Sequence, residues 1–349
     1  MPEPVRTGSI VRGSGVKKYR FMKAPIYGVK NVPVIDRLEL DKLEAGKKHR
    51  FLMHIVTDGM SMPIYVPLLV AKGLKPGPVL GITAAVHGNE LNGIPVIQRL
   101  FKELSLDKLC GIVVGVPVAN VPAYLRRTRR FLDGVDINHI MPGAPNGNVS
   151  GVYAFRLFDR IVRHFNYLVD LHTASFGRVN SYYIRADLRH EITRQMALLQ
   201  NPQIILHNPP SDGTLRGAAN EMGIHSITLE VGNPHTFQRG MIREGLTGLH
   251  NMLHYLEMVH TVIEEPDHQP VICKSSEWIY TDDGGLLTVL PQVNTMVRKG
   301  EVIGRIHNVF GDVVREYTAP SDGIVIGKEV NPVNQTGGRM IHIGFPGEP

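Results

Sequence analysis

Short apolar, β-prone runs alternate with helix-period segments through most of the chain, and few folds accept that pattern. The runs are "GPVLGITAAVHG", "CGIVVGVPVAN", "YLVDLHTA", "PQIILHN" and "HSITLEVG". Between and after them lie "NELNGIPVIQRLFKEL", "SGVYAFRLFDRIVRHF", "HEITRQMALLQN", "GTLRGAANEMG" and the long amphipathic "HTFQRGMIREGLTGLHNMLHYLEMV". In the first of these, Leu91, Ile94, Ile97 and Leu100/Phe101 repeat at helical spacing, with Asn89 as the expected N-cap. Strands alternating with helices imply an α/β domain built on a mostly parallel sheet. Such sheets bind ligands at the carboxyl ends of their strands.

Upstream, residues 1–50 are mixed in character and read as an edge segment, while "HRFLMHIVT" and "MPIYVPLLVAKG" read as strands. The texture changes after "EEPDHQP" (264–270). Residues 271–349 hold short β-rich pieces separated by glycines, among them "GLLTVLP", "VRKGEVIGRI" and "GGRMIHIGF", with no helical period. The expected division is a catalytic domain over 1–265 and a small, separate all-β domain over 271–349, joined by a charged, proline-bearing linker.

Composition excludes several classes. With 43% hydrophobic and 20% charged residues, the 349-residue chain reads as folded. No stretch approaches the ~20 apolar residues of a membrane span. "MPEPVRTGSIVRGSG" lacks the apolar core of a signal peptide, and two cysteines, Cys110 and Cys273, make no disulfide framework. A cytoplasmic setting is expected, with Cys110 a buried small residue. The net charge of +6 is densest in "LRRTRR" (125–130), which reads as a local anion site or solvated face and not as a nucleic-acid reader.

Three polar residues fall at strand ends: His87 after "GITAAV", His172 after "YLVDL" and Glu230 after "HSITL". His87 and Glu90 share a strand-to-helix turn that can aim an imidazole and a carboxylate at one point. A catalytic zinc takes three protein ligands and keeps a position for water, and His172, preceded by Asp170, completes the set. Glu230 then has the place of a general base. Singly, a histidine at a strand end is more often structural than a ligand. A carboxylate ending an apolar strand is harder to explain structurally, and the four together are much more specific.

"HGNE", "VPVANVPAYLRRTRRFLDGVDINHIMPG", "VDLHTASFGRVNSYYIRADL" and "TLEVG", in this order over roughly residues 50–255, resemble the succinylglutamate desuccinylase/aspartoacylase family of zinc-carboxypeptidase-like hydrolases. The resemblance implies a three-layer α/β/α zinc-carboxypeptidase-like domain and one Zn²⁺ per chain on His87, Glu90 and His172. It implies hydrolysis of an N-acyl amino acid, with Glu230 as base and Arg130 beside the scissile carbonyl. It further implies that Asp136 orients His87 and that Asn138 binds substrate. Where the family carries an arginine for the substrate carboxylate, this chain has His139, mostly neutral and single-pointed. Either another cation supplies that contact, with Arg178 and Arg185 as candidates, or the substrate lacks a carboxylate there; "GRVNSYYIRAD", which includes Asn180, resembles the N-acetyl-diaminobutyrate deacetylase subset. The C-terminal region resembles a barrel-sandwich hybrid of the lipoyl and biotinyl type. Its presenting turn reads "NVFGD" without a lysine, so it is expected to be a lid, a specificity wall, an oligomer contact or a packed accessory.

The leading expectation is thus a zinc amidohydrolase for a small N-acyl amino acid or acylated diamine. The alternatives are a zinc carboxypeptidase, which His139 disfavours, and a non-catalytic binding module, which would predict damage at the metal or base positions. Nucleic-acid and membrane partners are not expected; a homo-oligomer is open.

Overall fold

The computed structural model describes residues 32–349 apart from 261 and 267. The expectation about a signal peptide and the first 31 residues of the expected edge segment 1–50 therefore lie outside the described residues. Among the described residues, no helix is long and apolar enough to cross a membrane.

The parallel core of the sheet is four strands in the spatial order Cys110–Val116, Lys75–Ala84, Tyr167–His172 and His225–Glu230. Their apolar, β-branched sequences suit strands covered on both faces. One face carries a core that includes Met53, Ile55, Tyr153, Leu157 and Leu215, closed by helices Val149–Arg160 and Leu215–Glu221. The other carries Ile82, Val96, Ile97, Leu249 and Met252, closed by helices Gly93–Glu103 and Arg239–Tyr255, which pack on each other. The result is the expected three-layer α/β/α arrangement. The strands Lys47–Thr57 and Pro63–Lys72 extend the sheet as an antiparallel pair on the Cys110–Val116 side.

Two elements begin later than their apolar periods suggest. The first helix starts at Gly93, so Asn89 is not its N-cap; residues 87–92 form a turn instead. Asn92 fixes that turn by donating to the Val231 carbonyl at 2.7 Å. The last helix starts at Arg239 because residues 231–238 form the loop after Glu230. Cys110, expected buried, is half-buried, whereas burial pushes the Cys273 thiol up to about 12.

The C-terminal region does not hang from a free linker. Strand Val271–Tyr280 pairs in parallel with Ile204–His207, and Arg339–Pro346 and Gly323–Glu329 follow it in the same sheet. Glu264, in the expected linker, is tied to Asn201 and Asn251 by its backbone. Only a four-stranded antiparallel sheet, which includes Gly285–Val289 and Val302–His307, stands apart. The "NVFGD" turn is a hairpin tip. Lys328 is buried in a strand with its ammonium on the Pro291 carbonyl, so neither offers an exposed lysine.

Candidate active site

Parallel register brings the expected residues together. Ala84 lies beside Leu171, and His172 beside Glu230, so three adjacent strands end at one level. His87 follows the first strand by three residues, and Glu90 lies one turn further on. Ala85, at a positive φ of 51°, reverses the chain there. His87, Glu90, His172 and Glu230 all line one cavity of ≈ 310 Å³.

His87 Nδ1 lies 2.9 Å from Glu90 Oε1, and His172 Nδ1 lies 2.9 Å from Glu90 Oε2. The two Nδ1 atoms are 3.2 Å apart, and the three side chains are buried. Each histidine turns its other nitrogen to a carboxylate: His87 Nε2 to Asp136 at 3.0 Å and His172 Nε2 to Asp170 at 2.8 Å. Thr83 in turn donates to Asp170 at 2.5 Å. Donation from Nε2 leaves the Nδ1 lone pairs facing each other, with the Glu90 carboxylate beside them. Two lone pairs and an anion converging on one point favour a cation among them, and the Arg129 guanidinium already approaches, with Nη1 3.3 Å from His87 Nδ1 and 3.2 Å from Glu90 Oε1. Two imidazole nitrogens and a carboxylate oxygen are the donor set that Zn²⁺ accepts. These residues could therefore hold a metal ion, and their ligand atoms lie within 4.8 Å of one another.

Burial opposes ionisation of Glu90. The charges and hydrogen bonds of His87 and His172 outweigh it and hold the carboxyl well below the usual carboxylate range. Asp136 behaves the same way: burial is overcome by His87 and then Arg129. Burial would lower His172, but Asp170 and Glu90 raise it.

Glu230 is different. Burial and the Glu90 charge push its carboxyl up, against smaller opposing effects of His172, Arg185 and Arg129. It accepts from Asn180 Nδ2 at 3.3 Å and from the Tyr183 hydroxyl at 3.4 Å, and Tyr183 is its direct cross-strand neighbour. Arg185 lies 3.9 Å from Glu230, stacks on Tyr183 and donates to that hydroxyl at 2.7 Å.

One assignment moves by a residue. Arg130, expected beside the reacting carbonyl, donates to the Gly134 carbonyl and is exposed outside the cavity. The buried Phe131 anchors the following turn, so consecutive side chains point apart, and Arg129 enters the site instead. Its guanidinium reaches Asp136 at 2.8 Å, Glu90 at 3.2 Å and the Ser175 hydroxyl at 2.6 Å. Asn138 and His139 line the cavity, and Asn138 Oδ1 is occupied by the Leu215 N–H. His139 is 62% exposed, at the rim.

Sequence reading missed Arg129, Arg216, Trp278 and Arg339, all of which line the cavity. Trp278 is the chain's one tryptophan, a signal that was there to be read. Nothing in the local sequence marks Arg339.

The model of the succinylglutamate desuccinylase/aspartoacylase catalytic domain matches residues 76–256, and the chain belongs to that family. It is 24% identical over 296 residues to an N-alpha-acetyl-L-2,4-diaminobutyric acid deacetylase of Halomonas elongata, covering 80% of this chain and 86% of that protein. It is 26% identical over 281 residues to a succinylglutamate desuccinylase of Pseudomonas paraeruginosa, covering 74% of this chain and 78% of the relative. Among solved structures, the product-bound ectoine utilization protein EutE (DoeB) of Ruegeria pomeroyi superposes with a TM-score of 0.78 at 19% identity, covering 87% of this chain and 97% of that one. A succinylglutamate desuccinylase/aspartoacylase of Rhodobacter sphaeroides gives 0.79 at 23% identity, covering 89% and 99%. These superpositions show a shared fold.

Proposed function

We propose that the protein is a zinc-dependent hydrolase of the amide bond in a small N-acyl amino acid or acylated diamine. The observation that carries this is the convergence of His87, Glu90, His172, Glu230 and Arg129 in one small cavity at three neighbouring strand ends. Family membership and the names of the two curated relatives support it.

His87, Glu90 and His172 would hold one Zn²⁺, which, when bound, supplies Lewis acidity to water and to the substrate carbonyl. The remaining chemistry belongs to the chain. Glu230, kept basic by burial, takes the proton of the attacking water and returns it to the departing amine nitrogen as the C–N bond breaks. Asn180 and Tyr183 hold the carboxylate in place for both transfers. Arg129 meets the negative charge that develops on the carbonyl oxygen. Asp136 and Asp170 fix the tautomers of His87 and His172. The products are a carboxylate and a free amine.

A cavity of ≈ 310 Å³ suits a small molecule. A carboxypeptidase shares the same catalytic groups, but the exposed His139 is a poor anchor for a peptide's terminal carboxylate. A small-molecule role in a reducing cytoplasm fits the two free cysteines. The test is to measure zinc in the purified protein and assay acetyl, succinyl and aminoacyl amides alongside a peptide library. Bound zinc with turnover of a small amide is expected. A protein that binds no zinc, or that releases only C-terminal amino acids from peptides, would overturn the proposal.

A further inference from the structure

The cavity carries more positive charge than its own carboxylates use. Arg129 is engaged by Asp136 and Glu90, and Arg216 by Asp212 at 2.5 Å. Arg185 is spent on Tyr183 and Asn208 and approaches Glu230. Arg178 and Arg339 form no close ion pair with a carboxylate among the described residues; Arg178 feels Glu329, its cross-strand neighbour, and Glu230 only through their charges, and Arg339 donates to the neutral Tyr280 hydroxyl at 3.3 Å. They come from distant parts of the sequence, the middle and near the C-terminus, to one ring, with Arg178 at 5.4 Å and Arg339 at 5.2 Å from the centroid of Trp278.

Trp278 is itself braced. His342, its cross-strand neighbour, stacks on it at 4.8 Å with an interplanar angle of 7°. The His342 ring is buried and hydrogen-bonded to the Ser276 hydroxyl at 2.8 Å. Burial and the three arginines Arg185, Arg339 and Arg178 push its pKa well below the usual histidine range, so it adds no further positive charge. The two guanidiniums act on each other as like charges and neither has a carboxylate in contact; a planar carboxylate relieves that repulsion while matching their paired N–H geometry.

We propose that Trp278 is a platform that sets Arg178 and Arg339 as a two-guanidinium receptor for a substrate carboxylate that takes no part in bond cleavage, with His342 as a positioning residue behind the ring. The proposal rests on the amide-hydrolase reading for the word substrate, and not for the receptor itself. It assigns specificity to the C-terminal β region, which supplies Trp278, His342 and Arg339, and it locates carboxylate capture away from His139.

The test has two readouts. The first is kcat/KM for pairs of N-acyl amino acids that differ only in a free carboxylate or the matching primary carboxamide, taking N-acetyl and N-succinyl derivatives of glutamate and glutamine. The full chain with zinc should prefer the acid of at least one pair by roughly 10- to 100-fold. Arg339→Gln and Arg178→Gln should each lose most of that preference through KM, and Trp278→Leu should lose it where Trp278→Phe keeps part. Loss of fold lowers both members of a pair together and leaves the ratio alone. The second readout is Trp278 fluorescence, unambiguous because the chain has one tryptophan. Glutarate should give a saturable change in wild type that glutaramide does not, and Arg339→Gln should abolish it. An unchanged acid-to-amide ratio in both arginine variants, or equal fluorescence responses to glutarate and glutaramide, overturns the receptor. A glutarate response in a protein that hydrolyses no amide overturns the hydrolase reading and leaves the receptor standing.

Discussion

His87 and His172 each commit one ring nitrogen to a carboxylate, the partly buried Asp136 and the buried Asp170, and that commitment decides which nitrogen faces the cavity. Removing the charge of Asp170 while keeping its shape should therefore weaken the proposed zinc site without removing one of its proposed ligands. Asp170→Asn is expected to lower zinc affinity about 10- to 100-fold, measured by competition with a chromophoric chelator. Glu230→Gln separates the other half of the site. It should reduce kcat by about 10²- to 10⁴-fold while zinc content stays at the wild-type value; retained activity would remove Glu230 from the role of base. At this scale the sequence was most readable where chemistry and strand ends coincide, as at His87, Glu90, His172 and Glu230. It was least readable at "RRTRR", where four arginines look alike. Which of them enters the cavity is decided by the anchoring of Phe131 in the core, a tertiary fact that leaves Arg130 outside and Arg129 within.

The elements that carry the site were legible as a period and less so at their boundaries. Apolar periodicity located the strands and helices of the parallel core. It extended two helices into turns, because Leu91 and Phe237 belong to loops that happen to continue the apolar spacing. The short strands Arg178–Asn180 and Tyr183–Ala186 were not apparent, since neither is apolar enough to stand out. Beyond the second of these, Asp187 organises entry into the helix Glu191–Leu198. Its carboxylate accepts from the Arg189 backbone and guanidinium, and its carbonyl accepts from Thr193 at 2.5 Å. The Arg189 hydrogen bonds outweigh burial and lower the Asp187 carboxyl to about 2. A depressed carboxylate contributes stability above its unfolded value and loses it as pH falls through the folded one. Arg189 is 57% exposed, so the contribution is discounted to about 1 kcal/mol. Asp187→Asn should be destabilised by that amount at about pH 6, and its gap to wild type should narrow below about pH 4. Chemical denaturation across that range measures it, and a constant gap would show that the charge is not the cause.

At the scale of the whole molecule, the sequence suggested two units; strand pairing joins part of the C-terminal β region to the large sheet, while a four-stranded antiparallel sheet stays separate. Short, glycine-separated β pieces advertise a change of architecture. They do not reveal that Val271–Tyr280 adds to the edge of the catalytic sheet, because pairing between distant segments has no local signature. The consequence is a shared core. Tyr183, Ile204 and Leu206 pack with Cys273, Ile324 and Ile326, three residues from each side of the expected boundary. A fully buried isoleucine in such a junction should couple the stability of both parts. Ile326→Ala is expected to cost about 2–5 kcal/mol. If the junction is one cooperative unit, calorimetry of the variant will show a single transition shifted down, with zinc release and loss of Trp278 emission moving together. If the C-terminal strands were a separately folding module, Trp278 emission would change at a lower temperature while zinc stayed bound. Coincidence of the two signals would also mean that His87, His172 and Glu230 on one side and Trp278 and Arg339 on the other are held in register by the same folding event.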